Sequence, residues 1–74
     1  MSSLISFADG TNRYVQLGSG APLRGANLQN VNLRGMDLRG ADLRNANLNG
    51  CDLRGANLND ALYYSVDLIG AILK

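Results

Sequence analysis

Few side chains in this 74-residue sequence are equipped for chemistry. There is no histidine, so the commonest general base and metal ligand is missing. The one thiol, Cys51, has no histidine to draw off its proton. Three carboxylates stand two residues before an arginine: Asp37 with Arg39, Asp42 with Arg44 and Asp52 with Arg54. Exposed pairs of that kind hold charge at a surface and are worth about 0–1 kcal/mol each. Gly18-Ser19-Gly20 is not a phosphate loop, because no Lys-Ser/Thr follows and no helix opens after it. No nucleophile–base pair can be drawn, so the sequence reads as a non-enzyme without cofactor, metal or small-molecule substrate.

The overall charge narrows the partners as well. Seven basic residues are interleaved with six acidic ones, for a net charge of +1. That balance argues against nucleic-acid binding and against a strongly acidic mimic. No run is long and apolar enough to span a membrane, and residues near Met1 lack a basic-then-apolar leader. The expectation is a cytoplasmic or particle-borne chain whose partners are proteins.

The side chains that do recur are structural. From Ala21 onward the sequence falls into fives: APLRG, ANLQN, VNLRG, MDLRG, ADLRN, ANLNG, CDLRG, ANLND, ALYYS, VDLIG, AILK. The central residue is Leu23, Leu28, Leu33, Leu38, Leu43, Leu48, Leu53, Leu58, Tyr63, Leu68 or Leu73. Two places earlier stands a small or slender apolar residue: Ala21, Ala26, Val31, Met36, Ala41, Ala46, Cys51, Ala56, Ala61, Val66 or Ala71. A step of five advances a helix by about 500°, which would scatter the leucines around the axis. On a straight strand an odd spacing would send alternate leucines to opposite faces. A chain that turns a corner every five residues avoids both outcomes. It points the centre and the residue two before it inward, and Cys51 then reads as a small buried thiol. The closing residues, Gly25, Asn30, Gly35, Gly40, Asn45, Gly50, Gly55, Asp60, Ser65 and Gly70, tolerate turn dihedrals best.

These tandem fives resemble the pentapeptide-repeat family, whose signature is A(D/N)LXX, over residues 21–74. The resemblance implies an all-β fold, a right-handed quadrilateral β-helix with four pentads to each coil. At that pitch residues 21–74 supply roughly 2.7 coils, a stub about 13 Å tall. Residues twenty apart should stack: Leu23 under Leu43 and Tyr63, Leu28 under Leu48 and Leu68, Leu33 under Leu53 and Leu73, Leu38 under Leu58. Arg24 should lie beneath Arg44, and Arg34 beneath Arg54 and Lys74, as solvated basic ladders. Asn32 should lie beneath Asp52, and Asn27 beneath Asn47 and Asp67, as ladders that fix register.

Residues 1–20 stand outside the repeat. Leu4–Ala8 and Tyr14–Leu17 are strand-like runs around the turn cluster Asp9-Gly10-Thr11-Asn12, which predicts a short β-hairpin. Gly18-Ser19-Gly20 reads as a hinge. The hairpin then serves as a cap over the first coil or as an arm to a neighbour, and Ile5, Phe7, Tyr14 and Val15 are its candidate contact residues. Solenoid ends expose core and unpaired backbone, so a cap, a partner or both are expected.

The last coil breaks the pattern. Leu62, Tyr64, Ile69 and Ile72 occupy outward positions that are mostly polar in the earlier pentads. Apolar residues gathered on one rim mark an interaction site. The favoured reading is a structural subunit that packs into a homo-oligomer or larger assembly, such as the capsid decoration or tail of a phage virion. The alternatives are a cytoplasmic protein-binding adaptor and a DNA-mimicking topoisomerase inhibitor. The inhibitors of that family are long acidic rods, which this short, near-neutral chain does not match.

Overall fold

The structure is a computed structural model that describes residues 2–74. It is all-β, with two regular strands followed by a coil of short bridged segments. Strands β1 (Ser2–Ser6) and β2 (Asn12–Gln16) pair antiparallel, with Leu4 opposite Tyr14 and Ile5 opposite Arg13. The turn between them is held by Asp9, whose carboxylate accepts from the Thr11 hydroxyl at 2.6 Å and from the Thr11 N–H at 3.0 Å. Those bonds, the hydroxyl's first, lower the Asp9 pKa.

From Ala21 the backbone pairs in parallel with itself at a separation of twenty. Pro22 bridges Asp42, which bridges Leu62; Asn27 bridges Asn47, which bridges Asp67; Asn32 bridges Asp52, which bridges Ile72; Asp37 bridges Asn57. In each column two bonds alternate. The Leu23 N–H donates to the Asp42 carbonyl at 2.8 Å, and the Asp42 N–H returns to the Ala21 carbonyl at 3.0 Å. The chain therefore closes a circuit every four pentads.

The corners explain how so tight a circuit is possible. Every pentad from Gly25 to Gly70 closes on a residue at positive φ, and the four that are not glycine are Asn30, Asn45, Asp60 and Ser65 at 58° to 63°. Around most corners the first N–H of one pentad donates to the central carbonyl of the pentad before, as from Ala26 to Leu23 at 3.0 Å. This is a β-turn with positive φ at its third residue, the site where glycine and asparagine are least strained.

The Asn or Asp before each centre does local work. Its side-chain oxygen accepts the N–H two residues on, as Asn27 does from Gln29, Asn32 from Arg34, Asp37 from Arg39 and Asn57 from Asn59. Of these, Asn27 and Asn32 were expected as rungs of ladders between coils, with Asn47, Asp52 and Asp67. The inter-coil contacts of this kind lie at Asn49, whose amide donates to Asp67 at 3.1 Å and accepts from the Ile69 N–H at 2.9 Å. For the remainder, the nearer backbone donor claims the oxygen first.

Inside the coil Leu23, Leu28, Leu33, Leu38, Leu43, Leu48 and Leu53 are buried, with Ala21, Ala26, Ala41, Ala46 and Cys51. Val31, Met36, Ala56, Leu58 and Val66 pack against them half-buried, and Ala61 is half-buried too. Cys51 is enclosed, its Sγ donating to the Leu28 carbonyl at 2.8 Å, and burial pushes its pKa up. It is a packing residue and not a reactive thiol.

Candidate interaction surface

The two ends of the coil differ, and the difference starts in the hairpin. Ile5, Phe7 and Val15 are buried in the same cluster as Leu23, Ala26 and Leu28. These three were expected at a protein contact, and the structure corrects that assignment: they are spent on the chain's own first coil. Period-two alternation puts Ile5 and Val15 on the inner face of the hairpin and leaves Leu4 and Tyr14 outside, where both are exposed. Tyr14 alone of the four hairpin candidates is free for a contact. Leu4, which sequence reasoning passed over, is its cross-strand neighbour.

Backbone bonds fix the hairpin in place. Phe7 bridges Ala26 antiparallel, Ala8 donates to the Gly25 carbonyl at 2.9 Å, and Asn27 donates to the Ser6 carbonyl at 2.8 Å. Arg13 lies 3.6 Å over the Phe7 ring, a cation–π contact that covers its outer side. The stretch expected as a hinge is also fastened. The Gly20 N–H donates to the Arg39 carbonyl at 2.8 Å, and the Ser19 hydroxyl donates to that same carbonyl at 3.2 Å.

Among the described residues nothing comparable covers the other end. Central N–H groups donate upward from Leu23 through to Leu53, and the series stops there. Among the described residues the N–H groups of Leu58, Tyr63 and Leu68 and the carbonyls of Ala56, Ala61 and Val66 have no backbone partner. Tyr63, Leu68 and Leu73 were expected in the core, yet they are 58%, 41% and 55% exposed. The reason is the missing layer: a side chain that points into a solenoid is buried only when a coil lies on each side of it. Together with Leu43, Leu48, Leu53 and Leu58 these residues line an open, almost wholly apolar hollow of about 280 Å³.

The rim of this end is apolar too. Leu62, Tyr64, Ile69 and Ile72 are all exposed, Tyr64 and Ile69 most of all at 72% and 76%. The twenty-residue columns distribute them over three sides of the coil: Leu62 and Tyr64 above Asp42 and Arg44, Ile69 above Asn49, Ile72 above Asp52. They thus form a collar around the hollow. Sequence reasoning found the collar but not the exposed Tyr63, Leu68 and Leu73 inside it.

Three arginines of the remaining outer surface are paired within their own pentads. Arg39, Arg44 and Arg54 each grip the Asp two residues back through two guanidinium nitrogens, at 2.9 and 2.7 Å in every pair. Chiefly through those bonds Asp37, Asp42 and Asp52 are held down at about 2 from an ordinary 3.8. Arg24 and Arg34 add a further pull on Asp42 and Asp52 from the coil below. The basic ladders are therefore laced with carboxylates. Among the described residues no group of three or more His, Cys, Asp or Glu is placed to hold a metal, and no helix is long and apolar enough to cross a membrane.

Comparison with curated proteins and with solved structures gave no match. A family pattern does match: residues 21–60 carry eight copies described as pentapeptide repeats, more than half of the chain. With its corners every fifth residue and its stacking at twenty, the chain belongs to the pentapeptide-repeat family.

Proposed function

We propose that the chain is a non-enzymatic structural and interaction protein, a right-handed β-helical stub of roughly 2.7 coils that docks end-on into a larger protein assembly. The observation that carries this reading is the contrast between its ends. One is sealed by the hairpin, and the other presents an apolar hollow inside an apolar collar. The collar residues face three directions, so a partner lying along one side would touch only some of them. A partner seated on the end reaches Leu62, Ile69 and Ile72 together with Tyr63, Leu68 and Leu73. Each side chain fully buried there contributes about 1.5–3 kcal/mol. A phage capsid or tail, built from many small subunits, is the setting that suits such a piece best. Nucleic acid is the weaker reading, because the arginines nearest the acidic positions are already occupied by them.

The test restores the polar repeat by changing Leu62, Tyr64, Ile69 and Ile72 together to Asn, Arg, Asn and Asn. The variant should keep the circular dichroism and melting of the parent chain while eluting at its own 7.9 kDa instead of with an assembly in extracts of the source cells. Parent and variant eluting together within the same assembly would defeat the reading.

A further inference from the structure

We propose that Asn49 is a self-modifying site: the Gly50 nitrogen cyclises onto the Asn49 side chain when the stretch Asp67–Ile69 lifts away, and the acid that results keeps that stretch from closing again. Of the nine asparagines only Asn49 precedes a glycine. The attacking group in this reaction is the backbone nitrogen of the next residue, and glycine brings no Cβ to hinder it. The Gly50 nitrogen bonds to Cγ of Asn49 and the Cγ–Nδ2 bond breaks. The Gly50 proton reaches the departing nitrogen through water, so ammonia leaves and a five-membered succinimide remains. A second water opens that ring at either carbonyl. One opening gives aspartate. The other gives isoaspartate, whose main chain runs through the former side chain. Asparagine and water become an acid and ammonia, with no other reactant.

In the closed coil each participant is held by the coil above. The Gly50 N–H donates to the Ile69 carbonyl at 2.9 Å. The Asn49 side-chain oxygen accepts the Ile69 N–H at 2.9 Å, and its amide donates to the Asp67 carboxylate at 3.1 Å. Ring closure needs the Gly50 nitrogen to shed the proton that Ile69 holds, and the side chain to swing from Asp67 back over its own backbone. Both require Asp67–Ile69 to lift. The same contacts decide what the product does. Aspartate places an oxygen where the amide donated, so two carboxylates would face each other across that contact, and like charges so close oppose one another. Isoaspartate lengthens the main chain just before Gly50, in the corner column shared with Asn30 and Gly70, and carries the Gly50 N–H away from Ile69. Either acid thus converts a clamp between coils into a wedge. Ile69 of the apolar collar rides on the lifted stretch, so that part of the surface is lost irreversibly as the chain ages.

Trypsin cuts after Arg44 and Arg54, so one peptide, residues 45–54, reports Asn49 together with Asn45 and Asn47. The full chain is held at mildly alkaline pH in buffer and in strong urea, and the peptide is read by mass spectrometry with electron-transfer fragmentation. Asn49 should convert at least about tenfold faster in urea, because in buffer only the opened population reacts. Asn47, which precedes a leucine, should keep its amide in both. In buffer Asp67→Ala, its fold checked by circular dichroism, should speed the conversion several-fold. Asn49→Asp should speed hydrogen exchange about tenfold at the N–H groups of Leu48 and Gly50, which donate to Asp67 and Ile69, and leave that of Leu23 unchanged. If Asp67→Ala does not fold, the comparison of buffer with urea on the parent chain still decides. An Asn49 that stays an amide in urea overturns the site, and equal rates in buffer and urea overturn the gate. An Asn49→Asp chain whose Leu48 and Gly50 amides exchange as slowly as the parent's overturns the wedge.

Discussion

Gly50 sits directly above Asn30, and a Cβ placed on Gly50 would collide with the Asn30 side-chain oxygen. The two residues share one corner column, in which Gly70 comes next. Asparagine at positive φ is accepted at the bottom of the column because the corner above it has no side chain.

Replacing Gly50 with Ala should therefore destabilise the coil on two counts. A Cβ at φ of 72° costs roughly 1 kcal/mol, and the collision with Asn30 adds to it. The double change Gly50→Ala with Asn30→Gly should recover the second part only. Urea midpoints of the parent, the single and the double variant measure both parts. Equal midpoints for the single and the double variant would show that the column exerts no constraint.

Leu48 stands at mid-height and is fully buried. Leu48→Ala should cost about 2–5 kcal/mol. Leu48→Asp buries a carboxylate with no partner, at a cost comparable to the whole stability of so small a chain, and should abolish cooperative melting. A Leu48→Asp chain that melts cooperatively would refute the inward placement of the column.

Acid should loosen the fold in a defined window. Folding lowers the pKa of Asp37, Asp42 and Asp52 to about 2, so their contribution is complete above the ordinary value of 3.8 and disappears as pH falls through 2. The urea midpoint should stay level from neutrality to about pH 4, drop below that, and drop less in high salt, since all three pairs still reach solvent, Asp37–Arg39 the most. Asp52→Asn keeps an acceptor for the Arg54 N–H but not the guanidinium grip, and it should flatten the acid limb. A midpoint that rises on acidification would contradict the assignment.

Duplex DNA should not bind tightly. Arg39, Arg44 and Arg54 are already committed to carboxylates, and the net charge is only +1. Fluorescence anisotropy at physiological salt should show no micromolar binding. A micromolar constant that weakens steeply with salt would place a nucleic-acid surface on the arginine sides.

The five-residue period made the coil readable, since corner residues and inward leucines recur in a pattern that neither helix nor strand produces. Leu23 to Leu53 are buried where that pattern puts them. Tyr63, Leu68 and Leu73 repeat the pattern and are exposed, because burial depends on a neighbouring layer and not on the residue's own type. The hairpin was readable as strands, but which face turns inward is set by its docking on Ala26 and Gly25, a contact with no local signal. The role of Asn27 or Asn32 in holding the N–H two residues on was likewise hidden, since the same composition fits a ladder between coils.

Stacking at twenty also sets a rule of arithmetic for insertions and deletions. Removing one pentad from the middle of the coil keeps every remaining central leucine pointing inward, yet it turns everything downstream by a quarter of a circuit. Leu62 and Tyr64 would then stand over a different side of the hairpin-bearing coil, and the Asn30–Gly50 column would be split. Removing four pentads would restore the original angular relation and change only the height. The length of such a chain can thus drift freely only in twenties if the orientation of its ends matters, while drift in fives preserves the fold and scrambles the surface.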